Sequence, residues 1–294
     1  MAKTDVVPIR GYLLHLTHYD PRWVERKGRE KAPDISLALE LMDAMAEAGL
    51  NLLVVDCADG VRYKSHPELR RRYSVPMSAL KRLAARARKH GIEVVPKLNF
   101  AQSALHQHNH WFRPHHWLFD SEEYWRLAFE LIDELIEACG PERFFHVGMD
   151  EDHDRSHAQY TQAIVTLRDG LAERGLRAAM WKDEQTYAAA DVHKEKSRAA
   201  ERRIARDVVQ VVWQYRTVLT DVVRRLTRKG FEVWGAPGAQ PDQVAAWRDA
   251  ILRCGGTGLL LTQWIPCRPG NRRRLLHVVR DLGPVCAGRQ GEGA

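Results

Sequence analysis

The stretch FFHVGMDEDHD, residues 144–154, passes from apolar residues into a run of carboxylates and imidazoles. Asp150 and Glu151 are the residues best suited to proton chemistry. Neighbouring carboxylates in unlike surroundings take different pKa values, so that one serves as a general acid while the other stays charged. A second reading of the same run is a helix-capping cluster, with Asp152 or Asp154 serving a helix that begins near residue 156. His146 reads equally as a support beneath the acidic pair and as a satisfied core histidine. Asp183 and Glu184, in MWKDE, offer further carboxylates, either of which would be a nucleophile placed opposite Glu151. Trp181, Trp213, Trp234 and Trp264 form another set, with large rings able to stack on the apolar C–H face of a sugar. Trp23, Trp125 and Trp247 read as packing. The loop carrying His106, His108, His110, His115 and His116 invites a metal, since imidazole is a common ligand. Its spacing matches no closed site and no cysteine accompanies it. It reads instead as a long rim loop in which Trp111, Phe112 and Trp117 shape an entrance; neither metal nor cofactor is expected.

These residues need elements to hold them. Short apolar runs alternate with amphipathic stretches, as expected of a parallel sheet wrapped by helices. The candidate strands are residues 9–16, 50–56, 92–98, 144–150, 176–181, 208–214, 231–236 and 258–264. Between them lie helical patterns such as Ala38, Leu41, Met42 and Met45, closed by Gly49, and Leu80, Leu83, Ala84 and Ala87, closed by Gly91. Glycines at 140, 175 and 230 mark the same helix-to-strand junction, where a left-handed cap is least costly without a Cβ. Eight strand–helix units predict an α/β fold, a (β/α)8 TIM barrel, whose chemistry sits at the C-terminal ends of the strands. In an extended strand His146, Gly148 and Asp150 share one face, and Glu151 opens the loop above it.

The 294 residues, 45% of them hydrophobic, suffice for one large core, and a single domain over 1–294 is expected. No signal-peptide pattern opens the chain and no apolar run reaches the length of a membrane span, so a soluble, unexported protein is expected. Five cysteines without CxxC spacing argue against a disulfide framework and for a reducing, cytoplasmic setting. The net charge of +7 comes from scattered basic runs inside helical segments. Such runs read as solvated faces, and no nucleic-acid module accompanies them. Residues 190–203 likewise read as a solvated connection or helix.

HVGMDE resembles the His-x-Gly-Gly-Asp-Glu signature of glycoside hydrolase family 20, the β-N-acetylhexosaminidases, which are (β/α)8 barrels with the acidic pair at the end of strand 4. Met149 replaces the second glycine. IRGYLLHL is similar to the family's first-strand Arg-Gly segment, GIEVVPKLNF to its third strand, MWKDE to its fifth and GLLLTQW to its last. The compact form is most similar to the hexosaminidase D-like members. The resemblance implies a retaining exo-β-N-acetylhexosaminidase acting on an amino-sugar glycoside by substrate-assisted catalysis. Glu151 would be the acid/base and Asp150 the orienter of the acetamido nucleophile. It also implies that Arg10 binds sugar hydroxyls, that Trp264 helps wall the pocket and that His146 supports the pair. The family's seventh-strand Tyr-x-Asp is absent, the chain reading VWGAPGAQ there, and Tyr215 on strand 6 stands as its substitute. Its Pro-Gly-His turn after strand 3 is absent too. The alternatives are a glycosidase of different sugar specificity, or a catalytically silent carbohydrate-binding barrel.

Overall fold

A computed structural model describes residues 6–17, 30–104, 110–184 and 191–288. Eight parallel strands close into a barrel: β1 (Ile9–His15), β2 (Leu52–Asp56), β3 (Glu93–Lys97), β4 (Phe144–His146), β5 (Arg177–Lys182), β6 (Val209–Trp213), β7 (Val233–Gly238) and β8 (Gly258–Leu261). Each pairs with its chain neighbours, and β1 pairs with β8 from Ile9 opposite Gly258 to Tyr12 opposite Leu261. The connecting helices among the described residues are α1 (Ile35–Glu47), α2 (Met77–Lys89), α3 (Glu122–Cys139), α4 (His157–Glu173), α5 (Asp191–Ala200), α6 (Thr220–Arg228), α7 (Pro241–Cys254) and α8 (Arg272–Cys286). The (β/α)8 expectation holds, strand by strand. No described helix is long and apolar enough to cross a membrane.

Strand alternation builds two cores. Ile9, Leu13, Val54, Val95, Ala179, Val211 and Leu260 fill the barrel interior. Residues one step along, such as Tyr12, Leu14, Leu53, Val94 and Val212, meet the helices. The helix faces foreseen from spacing are the buried ones: Ala38, Leu41, Met42 and Met45 on α1, and Leu80, Leu83, Ala84 and Ala87 on α2. Each large aliphatic side chain buried there contributes roughly 1.5–3 kcal/mol relative to exposure.

The same alternation removes Arg10 from the sugar-binding set. It lies near the start of β1, at the barrel end opposite the loops expected to carry chemistry. Its guanidinium donates to the carbonyls of Gly49 (2.8 Å) and Val7 (2.8 Å) and closes the floor there. Trp234 is corrected likewise, being the second residue of β7 rather than its end. Its ring meets Phe144 edge-on at 5.1 Å, at the start of β4, and its Nε1 donates to Glu232.

The segment expected to be a solvated connection or helix is a helix, α5, with one side buried for an electrostatic reason. Lys182 points outward from β5 and is fully buried, with its ammonium 3.3 Å from Glu184 and 3.1 Å from Glu201. Arg198, Arg225 and Lys229 close the charge balance around the same two carboxylates. Charges at this depth persist only when paired, so α5 is held by its ion pairs.

Candidate active site

The acidic pair stands on a distorted turn. β4 is three residues long and ends at His146, and strict alternation does not extend to Gly148 and Asp150 as the sequence suggested. The backbone turns left-handed at Gly148 (φ 71°), Met149 (φ 73°) and Glu151 (φ 50°). A non-glycine residue there costs on the order of 1–3 kcal/mol and persists only where its surroundings determine it. They do so here. Asn99, just past β3, accepts from the Met149 N–H (3.1 Å) and the Ala101 N–H (3.0 Å) through one oxygen, and its amide donates to Asp150 Oδ1 (2.8 Å). Gly148 donates to His146 Nδ1 (3.1 Å), and the Tyr160 hydroxyl donates to the Met149 carbonyl (2.9 Å). A Cβ at Gly148 would fall 2.2 Å from Asn99 Oδ1. The side chain of Met149, in place of the second glycine, is fully buried.

Asp183, one residue past β5, completes the arrangement. Its Oδ2 accepts the Glu151 N–H (2.9 Å) and its Oδ1 accepts Trp213 Nε1–H (3.0 Å). Burial, then the negative charge of Asp150, pushes its pKa from 3.8 up to about 8. At neutral pH Asp183 is therefore mostly a neutral acid, unsuited to the nucleophile role left open for it. Glu184 is excluded on position, being engaged by Lys182, Arg198 and Arg225 on the outer side of the barrel wall.

His146 lies under the pair, fully buried, with its ring 4.6 Å from Trp181. Burial, aided by the Lys97 charge, drives its pKa well below the ordinary imidazole value. A neutral ring is what its bond requires, since Nδ1 accepts from Gly148. The aromatic wall follows from three strand ends. Trp181 near the end of β5 lies 5.9 Å from Trp264 beyond β8, Trp213 ends β6, and its ring lies 5.6 Å from Tyr215. Trp264 Nε1 donates to the Tyr215 hydroxyl at 2.6 Å. Tyr215 reaches across β7 because Gly238 has no side chain: a Cβ there would meet the tyrosine ring at 2.9 Å. Thus a residue from the sixth strand occupies space above the seventh.

A polar trio on the first three strand ends escaped the sequence reading. Lys97 Nζ lies 2.8 Å and His15 Nδ1 3.2 Å from Asp56 Oδ2, all buried. Burial by itself would raise the Asp56 pKa, but Lys97 and His15 overcome it and hold the group below its usual value. The His15 ring lies 4.9 Å from Trp264. The readable clue was that β1, β2 and β3 each end in a polar residue at an inward position, where an apolar one would suffice for packing.

Several expectations about the surrounding loops change. Asp152 and Asp154 do not cap α4, whose N-terminus is a capping box of Ser156 and Gln159. Asp152 instead binds Arg155 and Lys196, both buried. Trp111 and Phe112 do not line an entrance; both are buried, and Trp111 Nε1 donates to the Asn99 carbonyl (2.7 Å). Trp117 is 77% exposed. His106, His108 and Trp23 lie outside the described residues. Trp247 is buried packing, with its ring lying under Gly235.

No family model and no curated protein matches the sequence. Solved structures do match. An exo-β-N-acetylglucosaminidase of family 20 from Vibrio harveyi, in complex with N-acetylglucosamine, superimposes with a TM-score of 0.67 at 13% identity, covering 96% of this chain and 54% of that one. The family 20 β-N-acetylhexosaminidase of Streptomyces coelicolor A3(2) gives 0.69 at 13% identity, covering 96% and 64%. Dispersin B gives 0.61 at 14% identity, covering 97% and 99%. This chain therefore spans about half the Vibrio enzyme and nearly all of dispersin B. Identity this low carries the fold: the chain has the (β/α)8 architecture of the family 20 glycoside hydrolases.

Proposed function

We propose that the protein is a retaining exo-β-N-acetylhexosaminidase that uses the substrate's own acetamido oxygen as nucleophile. The observation that carries this is the grouping of Asp150 and Glu151 with the Tyr215–Trp264 hydrogen bond at one barrel mouth. In a substrate-assisted reaction the carbonyl oxygen of the sugar's acetamido group attacks the anomeric carbon as the leaving oxygen departs, so the protein supplies an acid and an orienter and no nucleophile of its own. Glu151 protonates the leaving oxygen and then deprotonates the water that opens the oxazolinium intermediate. Asp150, fixed by Asn99, holds the acetamido N–H and balances the charge that develops on the ring. The Tyr215 hydroxyl, which accepts from Trp264, keeps its own proton to donate to the acetamido carbonyl. Trp264 supplies apolar surface for the sugar ring, the buried Trp181 backs it at 5.9 Å, Trp213 steadies Asp183, and His146 supports the turn. Terminal β-linked N-acetylglucosamine or N-acetylgalactosamine is the fitting substrate class.

Aryl β-glycosides with and without the 2-acetamido group provide the test. Hydrolysis confined to the acetamido sugars, with retained anomeric configuration, is the expected result. Comparable rates on the 2-hydroxy glycosides or an inverted product would refute it, and no hydrolysis of any member would leave a binding barrel.

A further inference from the structure

Away from the barrel mouth, three side chains from two separate connections converge. His66 and Glu68 belong to the segment between β2 and α2, and His115 to the segment between β3 and α3. His66 Nδ1 lies 2.9 Å and His115 Nε2 2.6 Å from the same carboxylate oxygen, Glu68 Oε1. The three candidate donor atoms all fall within 4.8 Å of one another. On its far side, His66 Nε2 lies 2.8 Å from Glu130 Oε2 on α3.

We propose that His66, Glu68 and His115 are the protein ligands of a divalent metal site of the zinc class, with Glu130 as the carboxylate that orients His66. The first argument concerns the relay. With an ion on Nδ1, His66 would donate Nε2–H to Glu130, 2.8 Å away, and this carboxylate–histidine–metal relay is how ligating histidines are usually held.

The second argument is geometric. Zinc bonds of about 2.0–2.1 Å in a tetrahedron place ligand atoms roughly 3.3 Å apart, so the two contacts need to open by well under 1 Å, and the two imidazole nitrogens, within 4.8 Å of each other, need to settle at that same separation. Burial suits an ion that keeps one water. The His66 side chain is 8% exposed and that of His115 19%, while Glu68 at 38% leaves a route in. Two imidazoles and one carboxylate favour zinc, cobalt or nickel over calcium or magnesium, which prefer all-oxygen shells.

An ion here would tie the connection after β3 to the acidic turn. His115 packs 5.7 Å from Phe112, which stacks on Trp111 at 4.8 Å. Trp111 bonds the backbone of Asn99, whose side chain holds Asp150. The sequence did not disclose the site because the His-rich loop supplies one ligand and the other two come from another connection.

The test uses the tag-free full chain, stripped with a chelator and titrated with Zn(II) by calorimetry and with Co(II) by visible absorption. One equivalent of Zn(II) with a Kd at or below the micromolar range is expected, together with Co(II) d–d bands of a four- or five-coordinate site. Glu68→Gln and His115→Ala should each weaken Zn(II) binding at least about 100-fold, and Glu130→Gln about 10- to 100-fold, as for other supporting carboxylates. Circular dichroism of each metal-free variant should match the parent. Should one variant fail to fold, the other, on a different segment, decides. Absence of saturable binding in the parent, or binding unchanged by both ligand substitutions, would overturn the proposal.

Discussion

Asp183→Asn tests the least expected group at the barrel mouth. The aspartate is buried between Asp150 and the Glu151 backbone, and its pKa stands at about 8 against 3.8 for the ordinary group. That difference, at 1.36 kcal/mol per pK, amounts to on the order of 5 kcal/mol of preference for the neutral acid. A folded pKa above the unfolded one means that the native state holds a proton which the unfolded chain has released. The stabilisation is complete below about pH 4, declines as pH rises, and is gone above about pH 8. Asparagine cannot titrate, so its contribution is flat across this window. It has one acceptor oxygen for the two donors, Glu151 N–H and Trp213 Nε1–H, and the orphaned donor costs about 1–3 kcal/mol. The variant should therefore be less stable than the parent near pH 4, match it between about pH 5 and 6, and exceed it by roughly 3 kcal/mol near pH 8. At about 2 °C per kcal/mol for a domain of this size, paired melts at constant ionic strength from pH 4.5 to 9 resolve the crossing. Parallel curves across pH 5–8, or a variant less stable throughout, would show that Asp183 is ionised at neutrality and would remove the argument against it as a nucleophile.

Three further outcomes follow from the same geometry. Glu151→Gln should lose at least about 10²-fold in rate on a natural disaccharide and far less on an activated nitrophenyl glycoside, whereas Asp150→Asn should slow both alike; a uniform loss for Glu151→Gln would take it out of the acid role. Tyr215→Phe should reduce kcat/KM on acetamido substrates by about 10- to 100-fold, the range for one hydrogen bond to a group gaining charge, with little change in Tm, and Gly238→Ala should reproduce that loss because its Cβ would stand 2.9 Å from the tyrosine ring; unchanged kinetics in both would release Tyr215 from the site. Arg10→Ala should lower stability by about 1–3 kcal/mol through the unmet Gly49 and Val7 carbonyls and leave KM within about twofold, whereas a large rise in KM at constant stability would return the arginine to sugar binding.

The barrel was legible because it rests on periodicity. Apolar runs and amphipathic spacing located all eight strands within a few residues, and Gly140, at φ 56°, caps α3 as its position suggested. Position along a strand was less legible. Arg10 and Trp234 sit on the expected strands, yet at the ends facing away from the chemistry, because residue pattern marks a strand's faces more clearly than its two ends. Pairings between distant segments were not legible at all. His15, Asp56 and Lys97 meet only when β1, β2 and β3 pair in the register that sets the three residues side by side, and no local spacing announces that Asp183 will share its burial with Asp150.

Two of the three departures from the family's pattern bear directly on the geometry of the barrel mouth. Met149 adopts the left-handed backbone for which glycine is the usual residue, and its strain is offset by full burial of the side chain and by bonds from Asn99 and Tyr160 to its own peptide groups. For the missing seventh-strand tyrosine the proposed substitute is Tyr215, whose ring fits because Gly238 leaves β7 bare and whose hydroxyl is bonded by Trp264. Reading the chain by aligned letters alone counts three departures. Reading it by where backbone and hydroxyl come to lie finds the same acidic turn and a tyrosine facing it, which is why the Tyr215 and Gly238 substitutions should fail together.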